Sequence, residues 1–159
     1  MSTAAFPLRP TARWWLATQR TALLGLAAIS RTPKLSPHLE TGVRGEFEAL
    51  FYLRRLGYIV VERRWRSPEL NGDLDLVAWD RGTLCFIEVK ARTARDRTPA
   101  ALAIDEAKRR MLQKMAASYL RTVPGEQRRD ALTRFDIVSV YLLGDSVECE
   151  LVRDDFPRE

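Results

Sequence analysis

The sequence predicts one α/β domain built on a mixed sheet. Three observations carry that expectation. Segments of helical and of two-residue periodicity follow in the order helix, three strands, helix, two strands. Cap or turn residues separate them, and no stretch repeats another. The chain has 159 residues, 46% hydrophobic and 30% charged, which suits a globular protein with one core.

The first helix is read from TGVRGEFEALFYLRRLGY, with Thr41 near its N-cap, Leu56 at its end and Gly57 at the left-handed position that closes it. YIVVERRW, Tyr58 to Trp65, is rich in β-branched and aromatic residues and reads as a strand. SPELNG is a loop. LDLVAW and TLCFIEVK are strands joined by Asp80-Arg81-Gly82, a turn signal. After the basic, polar loop ARTARDRTP comes a helix, IDEAKRRMLQKMAASYLRT, with Asp105 as N-cap and Pro124-Gly125 as its stop. Leu112, Met115, Ala116 and Tyr119 give it an apolar stripe for the core. RFDIVSVYLL and VECELVR are the last strands, joined by a hairpin turn at GDS.

Residues 39–159 are assigned to this domain. Residues 1–38 are read as an extension and linker, with room for one amphipathic helix from Ala12 to Ser30 carrying Trp14 and Trp15. The longest uninterrupted apolar run, Ala22 to Ile29, is well short of a membrane span. Two cysteines without a CxxC pair argue against a zinc finger and against a disulfide-stapled secreted domain, so a cytoplasmic location is expected. One histidine, His38, stands in the Pro-rich segment SRTPKLSPHLE and reads as a linker residue, which removes imidazole-based catalysis. The net charge of +5 and pI of about 9.6 favour a polyanionic partner, although the arginines are scattered.

The stretch NGDLDLVAWDRGTLCFIEVKAR places Asp73, Asp75, Glu88 and Lys90 inside apolar runs. If Arg81-Gly82 is a two-residue turn, Asp75 lies opposite Glu88 and Asp73 opposite Lys90, all on one face. The other face then carries Leu74, Leu76 and Ala78 against Val89, Ile87 and Cys85, while Val77 and Phe86 continue the charged face. Two readings follow. Alternating charge is what the solvated face of a half-exposed sheet shows. Three crowded carboxylates beside an ammonium, however, disfavour one another until a divalent cation such as Mg2+ or Mn2+ takes their oxygens.

These residues resemble the PD-(D/E)XK motif of the restriction-endonuclease-like nucleases: Asp75, then thirteen residues on Glu88-Val89-Lys90, with Gly72-Asp73-Leu74-Asp75 in place of the proline-containing start. GVRGEFEALFYLRRLGY, NGDLDLVA, FIEVKAR, the later K-R-R…A-x-x-Y-L and RFDIVSV together resemble the YraN-like family of small bacterial proteins, over Thr41 to Val140. The resemblance implies a restriction-endonuclease-like fold, with an αβββαβ core, and hydrolysis of nucleic-acid phosphodiester bonds with Mg2+ or Mn2+, on DNA of particular structure. It implies Asp75, Glu88 and Glu46 as metal ligands, Lys90 as catalytic lysine, and Arg92 and Lys108 on phosphate. Gly45 would let the first helix approach closely. A homodimer is compatible with it, because resolvase-like enzymes cut two strands with two sites. Two departures stand out: Asp73 replaces the glutamate more usual there, and the loop from Ala91 to Ala103 lacks a glycine.

Other residues carry alternatives. Arg63, Arg64 and Arg66 around Trp65 suit either a phosphate-tracking patch with a stacking aromatic or a charge-protected edge strand. Asp136 is either a further ligand or a partner of Arg134. Beside the nuclease stand two rivals: a nucleic-acid-binding module whose hydrolysis is vestigial or partner-dependent, and a protein-interaction domain using Trp14 to Ile29.

Overall fold

The computed structural model describes residues 36–95, 104–125 and 132–153. The extension up to residue 35, with the helix expected from Ala12 to Ser30, lies outside the described residues, as do 96–103 of the loop after the central hairpin. Helix α1 spans Pro37–Arg55, strands β1, β2 and β3 span Ile59–Trp65, Leu74–Asp80 and Thr83–Arg92, helix α2 spans Glu106–Thr122, and strands β4 and β5 span Leu132–Leu143 and Ser146–Val152. This is the predicted order, a mixed α/β fold of the restriction-endonuclease-like kind.

Helix α1 starts four residues before Thr41 and takes in His38, which is therefore helical rather than linker. Proline suits a first helical turn because its missing N–H has no intrahelical partner there. At the other end the Gly57 N–H donates to the Arg54 carbonyl at 3.1 Å and the Tyr58 N–H to the Leu53 carbonyl at 3.0 Å. That double bond needs the left-handed backbone of Gly57, at φ +93°. In α2 the Asp105 carboxylate caps as expected, accepting the Lys108 N–H at 2.7 Å.

The strands lie side by side in chain order. Strand β3 pairs antiparallel with β2 and parallel with β4, and β5 returns antiparallel on β4. The parallel pair requires a crossover, which α2 supplies. Helix α1 covers one face, where Ala49 and Leu53 pack on Leu76, Ala78, Cys85, Ile87, Val138 and Val140. Helix α2 covers the other, where Leu112, Met115, Ala116 and Tyr119 meet Leu74, Val77, Leu84, Phe86 and Ile137.

Two expectations change here. The face carrying Glu88 is not solvated, because α2 lies over it and Glu88 is only 4% exposed. Leu74 packs beneath α2 with Val77 and not beside Leu76, since strict alternation lapses where β2 begins. Asp136 takes the structural alternative: it is fully buried and accepts from Arg134 at 2.8 and 3.0 Å. Arg134 also donates to Asp80 and to the Tyr58 hydroxyl, both at 2.9 Å, which ties the end of α1 to β2 and β4. Both cysteines are free thiols.

Gly45 sets how closely α1 lies on the sheet. A Cβ built there would stand 2.3 Å from the Cβ of Ala91 on β3. Alanine is the better helix former by about 1 kcal/mol, but two backbone-fixed methyls cannot share that space. Gly45→Ala should therefore destabilise the fold by about 1–3 kcal/mol in urea unfolding. Adding Ala91→Gly should return much of the loss.

Candidate active site

The β2–β3 hairpin closes on Arg81-Gly82, at φ +50° and +91°, between the paired Asp80 and Thr83. Positive φ at both central residues is the two-residue turn whose twist matches the strands. The ladder runs from there to Leu76 opposite Ile87, and the same count puts Asp75 opposite Glu88. Beyond Ile87 a side chain takes over from the ladder: the Val89 N–H donates to Asp75 Oδ2 at 2.8 Å. A carboxylate thus satisfies a backbone donor at the point where β2 begins.

Asp73 is not opposite Lys90. It lies before β2, next to Gly72, and its cationic neighbour is Arg66 at 3.7 Å. Gly72 turns the backbone there, at φ +117°, so the pleat that would have aligned Asp73 with Lys90 is absent.

Glu88 is the centre of the arrangement. Lys90, two residues on along β3, places Nζ 3.0 Å from Glu88 Oε1. Lys108, in the first turn of α2, places Nζ 3.1 Å from Oε2. The second contact is an ion pair and not a well-aimed hydrogen bond, since Oε2 is a buried acceptor without a hydrogen-bond partner. Ser139 stands opposite Lys90 on β4, buried, and its Oγ also makes no hydrogen bond. Asp75 is pushed up to about 7, first by burial and next by the charge of Glu88, with Glu46 adding to the effect; the Val89 N–H and Lys108 pull the other way. Glu46 reaches the same neighbourhood from α1. Burial raises it, Arg64 and Arg63 oppose that, and Asp73 reinforces it. Its Oε1 lies 3.6 Å from Arg64 Nε, and its Oε2 is buried without a hydrogen bond.

Of the residues singled out from the sequence, the structure brings together Asp75, Glu88, Lys90 and Lys108, with Glu46 and Arg64 alongside. Arg66 stays largely exposed beside Asp73. Arg92 ends β3, half-buried and opposite Tyr141 on β4. Trp65 is no stacking platform: it turns inward, edge-on to Tyr119 at 5.2 Å between ring centres. Lys108 was expected on phosphate, and its pairing with Glu88 was missed; the readable signal was its place three residues after the capping Asp105, at the mouth of a crossover from β3. Among the described residues, no three carboxylate, histidine or cysteine side chains stand together as a cage for a metal ion.

Residues 45–140 match the model of the uncharacterised protein family UPF0102. A UPF0102 protein of Koribacter versatilis is 44% identical over 131 residues, covering 82% of this chain and 89% of that protein. One of Solibacter usitatus is 43% identical over 98 residues, covering 62% and 72%. One of Geobacter metallireducens is 36% identical over 116 residues, covering 72% and 90%.

The Asp75 shift has a measurable consequence for the metal-free protein. Its folded value, about 7, lies above the ordinary 3.8, so the folded state holds this proton while the unfolded chain releases it. Stability therefore falls as pH rises from about 4 to about 7 and then levels off as far as this group is concerned. An asparagine in its place would still accept the Val89 N–H and carry no charge. Asp75→Asn should raise the melting temperature in EDTA, by an amount that grows across that window and reaches several degrees by about pH 8. Equal gains at about pH 4 and pH 8 would contradict it.

Proposed function

We propose that this chain, which belongs to the UPF0102 (YraN) family within the restriction-endonuclease-like superfamily, hydrolyses phosphodiester bonds of nucleic acid at Asp75, Glu88 and Lys90. The single observation that carries the reading is Glu88: a carboxylate 4% exposed in a central strand, with an ammonium on each side. Burying such ions costs several kcal/mol each before their attraction offsets it, and an apolar trio would avoid that cost. Such a trio adds little net stability to a fold, so the charges are best explained by what they act on.

The donor set fits a hard divalent cation. It offers only oxygens, and Glu88 Oε2 and Glu46 Oε2 are buried acceptors lacking hydrogen bonds. No triad is gathered among the described residues, yet Mg2+ is commonly held by one or two carboxylates with water completing its shell. Asp75 and Glu88 would hold it, with Glu46 alongside. When bound, Mg2+ or Mn2+ would supply Lewis acidity at the phosphate and a water of lowered pKa.

The chain's own groups do the rest. Lys90, its side chain 28% exposed, can turn from Glu88 toward a phosphoryl oxygen and stabilise the charge that develops there. Lys108 also pairs with Glu88 and keeps that carboxylate in place when Lys90 turns. Arg64, Arg66 and Arg92 lie around the same end of the sheet, where they can hold the backbone without reading bases, so binding weakens with salt.

A second reading is a nucleic-acid-binding module whose hydrolysis needs a partner. What favours it is that no three ligands meet among the described residues.

The test is a labelled panel of single-stranded, duplex, flap and four-way-junction DNA, plus RNA, incubated with Mg2+ or Mn2+ and with EDTA. Wild type should cut at least one substrate only with metal. Glu88→Gln and Lys90→Ala should each lower that rate by about 10²-fold or more. Salt-sensitive binding with no cutting of any substrate would instead establish the binding module.

A further inference from the structure

Strand β1 departs from a regular pleat at Arg64. Val61 is a bulge, since Val60 pairs with Ala78 and Glu62 already with Val77. Three residues on, Arg64 sits at φ +52°. This left-handed region brings Cβ against the following carbonyl oxygen, and an arginine, unlike asparagine or aspartate, has no short polar group to offset that. The flanking pairs, Arg63 with Leu76 and Trp65 with Leu74, leave Arg64 opposite Asp75.

The kink decides where three side chains go. A regular strand would send Arg63 and Arg64 to opposite faces. Here both reach α1: the Arg63 guanidinium lies 4.1 Å from the centre of the Phe47 ring, and Arg64 Nε lies 3.6 Å from Glu46 Oε1. Trp65 is carried to the other face, against Tyr119. The ion pair does not account for the strain, because the Arg64 side chain is 41% exposed and such pairs contribute little. Backbone strain of this kind persists where a side chain is needed in one place, and it gathers at ligand sites.

We infer that Arg64 is a phosphate-binding side chain of the centre, held on Glu46 in the free protein and passed to a backbone phosphate of the nucleic acid when that polyanion arrives. The inference rests on the nuclease reading for the placement of substrate over Asp75. Three features converge on it: the left-handed backbone, the register opposite Asp75, and a partly exposed guanidinium parked beside a carboxylate whose second oxygen is buried without a hydrogen bond.

The experiment measures binding of a labelled single-stranded and a labelled duplex oligonucleotide to the full chain in EDTA, over a salt series, by fluorescence anisotropy. Arg64→Asn keeps a residue that tolerates this backbone and removes the guanidinium. Its melting temperature should equal or exceed that of wild type, while affinity falls about five- to tenfold and the salt slope becomes shallower by about one. Glu46→Gln should tighten binding. Affinity and slope unchanged in Arg64→Asn would overturn the inference. So would a melting temperature lowered by several degrees, which would make Arg64 a structural prop. Wild type that binds or cuts while Arg64→Asn matches it removes this inference alone; wild type that binds no nucleic acid even at low salt removes the nuclease reading with it.

Discussion

Because helices cover both faces of the sheet, a carboxylate in the middle of a central strand is buried and must be answered by nearby positive charge. Glu88, 4% exposed, imposes that requirement at the candidate site. Lys90 answers from the same strand, and Lys108 from a helix whose first turn is fixed by the Asp105 cap. The start of α2 is therefore tied to the middle of β3 by charge as well as by the apolar seam of Leu112, Met115 and Tyr119. Asp75, across from Glu88, gives one oxygen to the Val89 N–H and so ends the hairpin ladder where the carboxylates meet.

The molecule contains a useful contrast to this cluster. At the turn end of the hairpin, Asp136, Arg134, Tyr58 and Asp80 form a second buried polar group whose short, mutual hydrogen bonds run between 2.8 and 3.0 Å through Arg134. Burial holds the Tyr58 hydroxyl above its usual range, and Arg134 holds Asp80 below its own. That network is saturated, and it joins three elements. The Glu88 cluster keeps buried oxygens without hydrogen bonds on two carboxylates. Saturated polar networks specify structure, whereas unsatisfied ones in a native fold call for another explanation, such as a bound ion.

Much of this was legible in the sequence, for reasons local to particular residues. The Arg81-Gly82 turn fixed the register, and register alone put Asp75 opposite Glu88. Gly57 and Asp105 marked helix ends through chemistry that operates within a few residues. What depended on tertiary contact was not legible. Alternation along LDLVAW cannot reveal that Asp73 and Leu74 leave the pleat, because that follows from the backbone turn at Gly72 and its packing on Met111. A charged strand face looks the same in sequence whether water or a helix covers it. The left-handed backbone at Arg64 has no local signal at all, since arginine is not a residue that seeks it.

The same pairings bear on how the centre would respond to ligands. Glu88 holds Lys90 and Lys108, and Glu46 holds Arg64, so each of these cations is already engaged by a carboxylate. On the proposed reading, neutralising the carboxylates loosens the cations, and drawing the cations onto phosphate leaves the carboxylates in need of positive charge. Either event makes the other more favourable, and the coupling is reciprocal because it is a property of the shared ion pairs. Gly45 belongs to this argument as much as to the packing. By letting α1 approach Ala91 it brings Glu46, the next residue, close enough to raise the pKa of Asp75. A helix standing one methyl farther out would still cover the sheet, but it would weaken the coupling between the carboxylate on α1 and the pair on the hairpin.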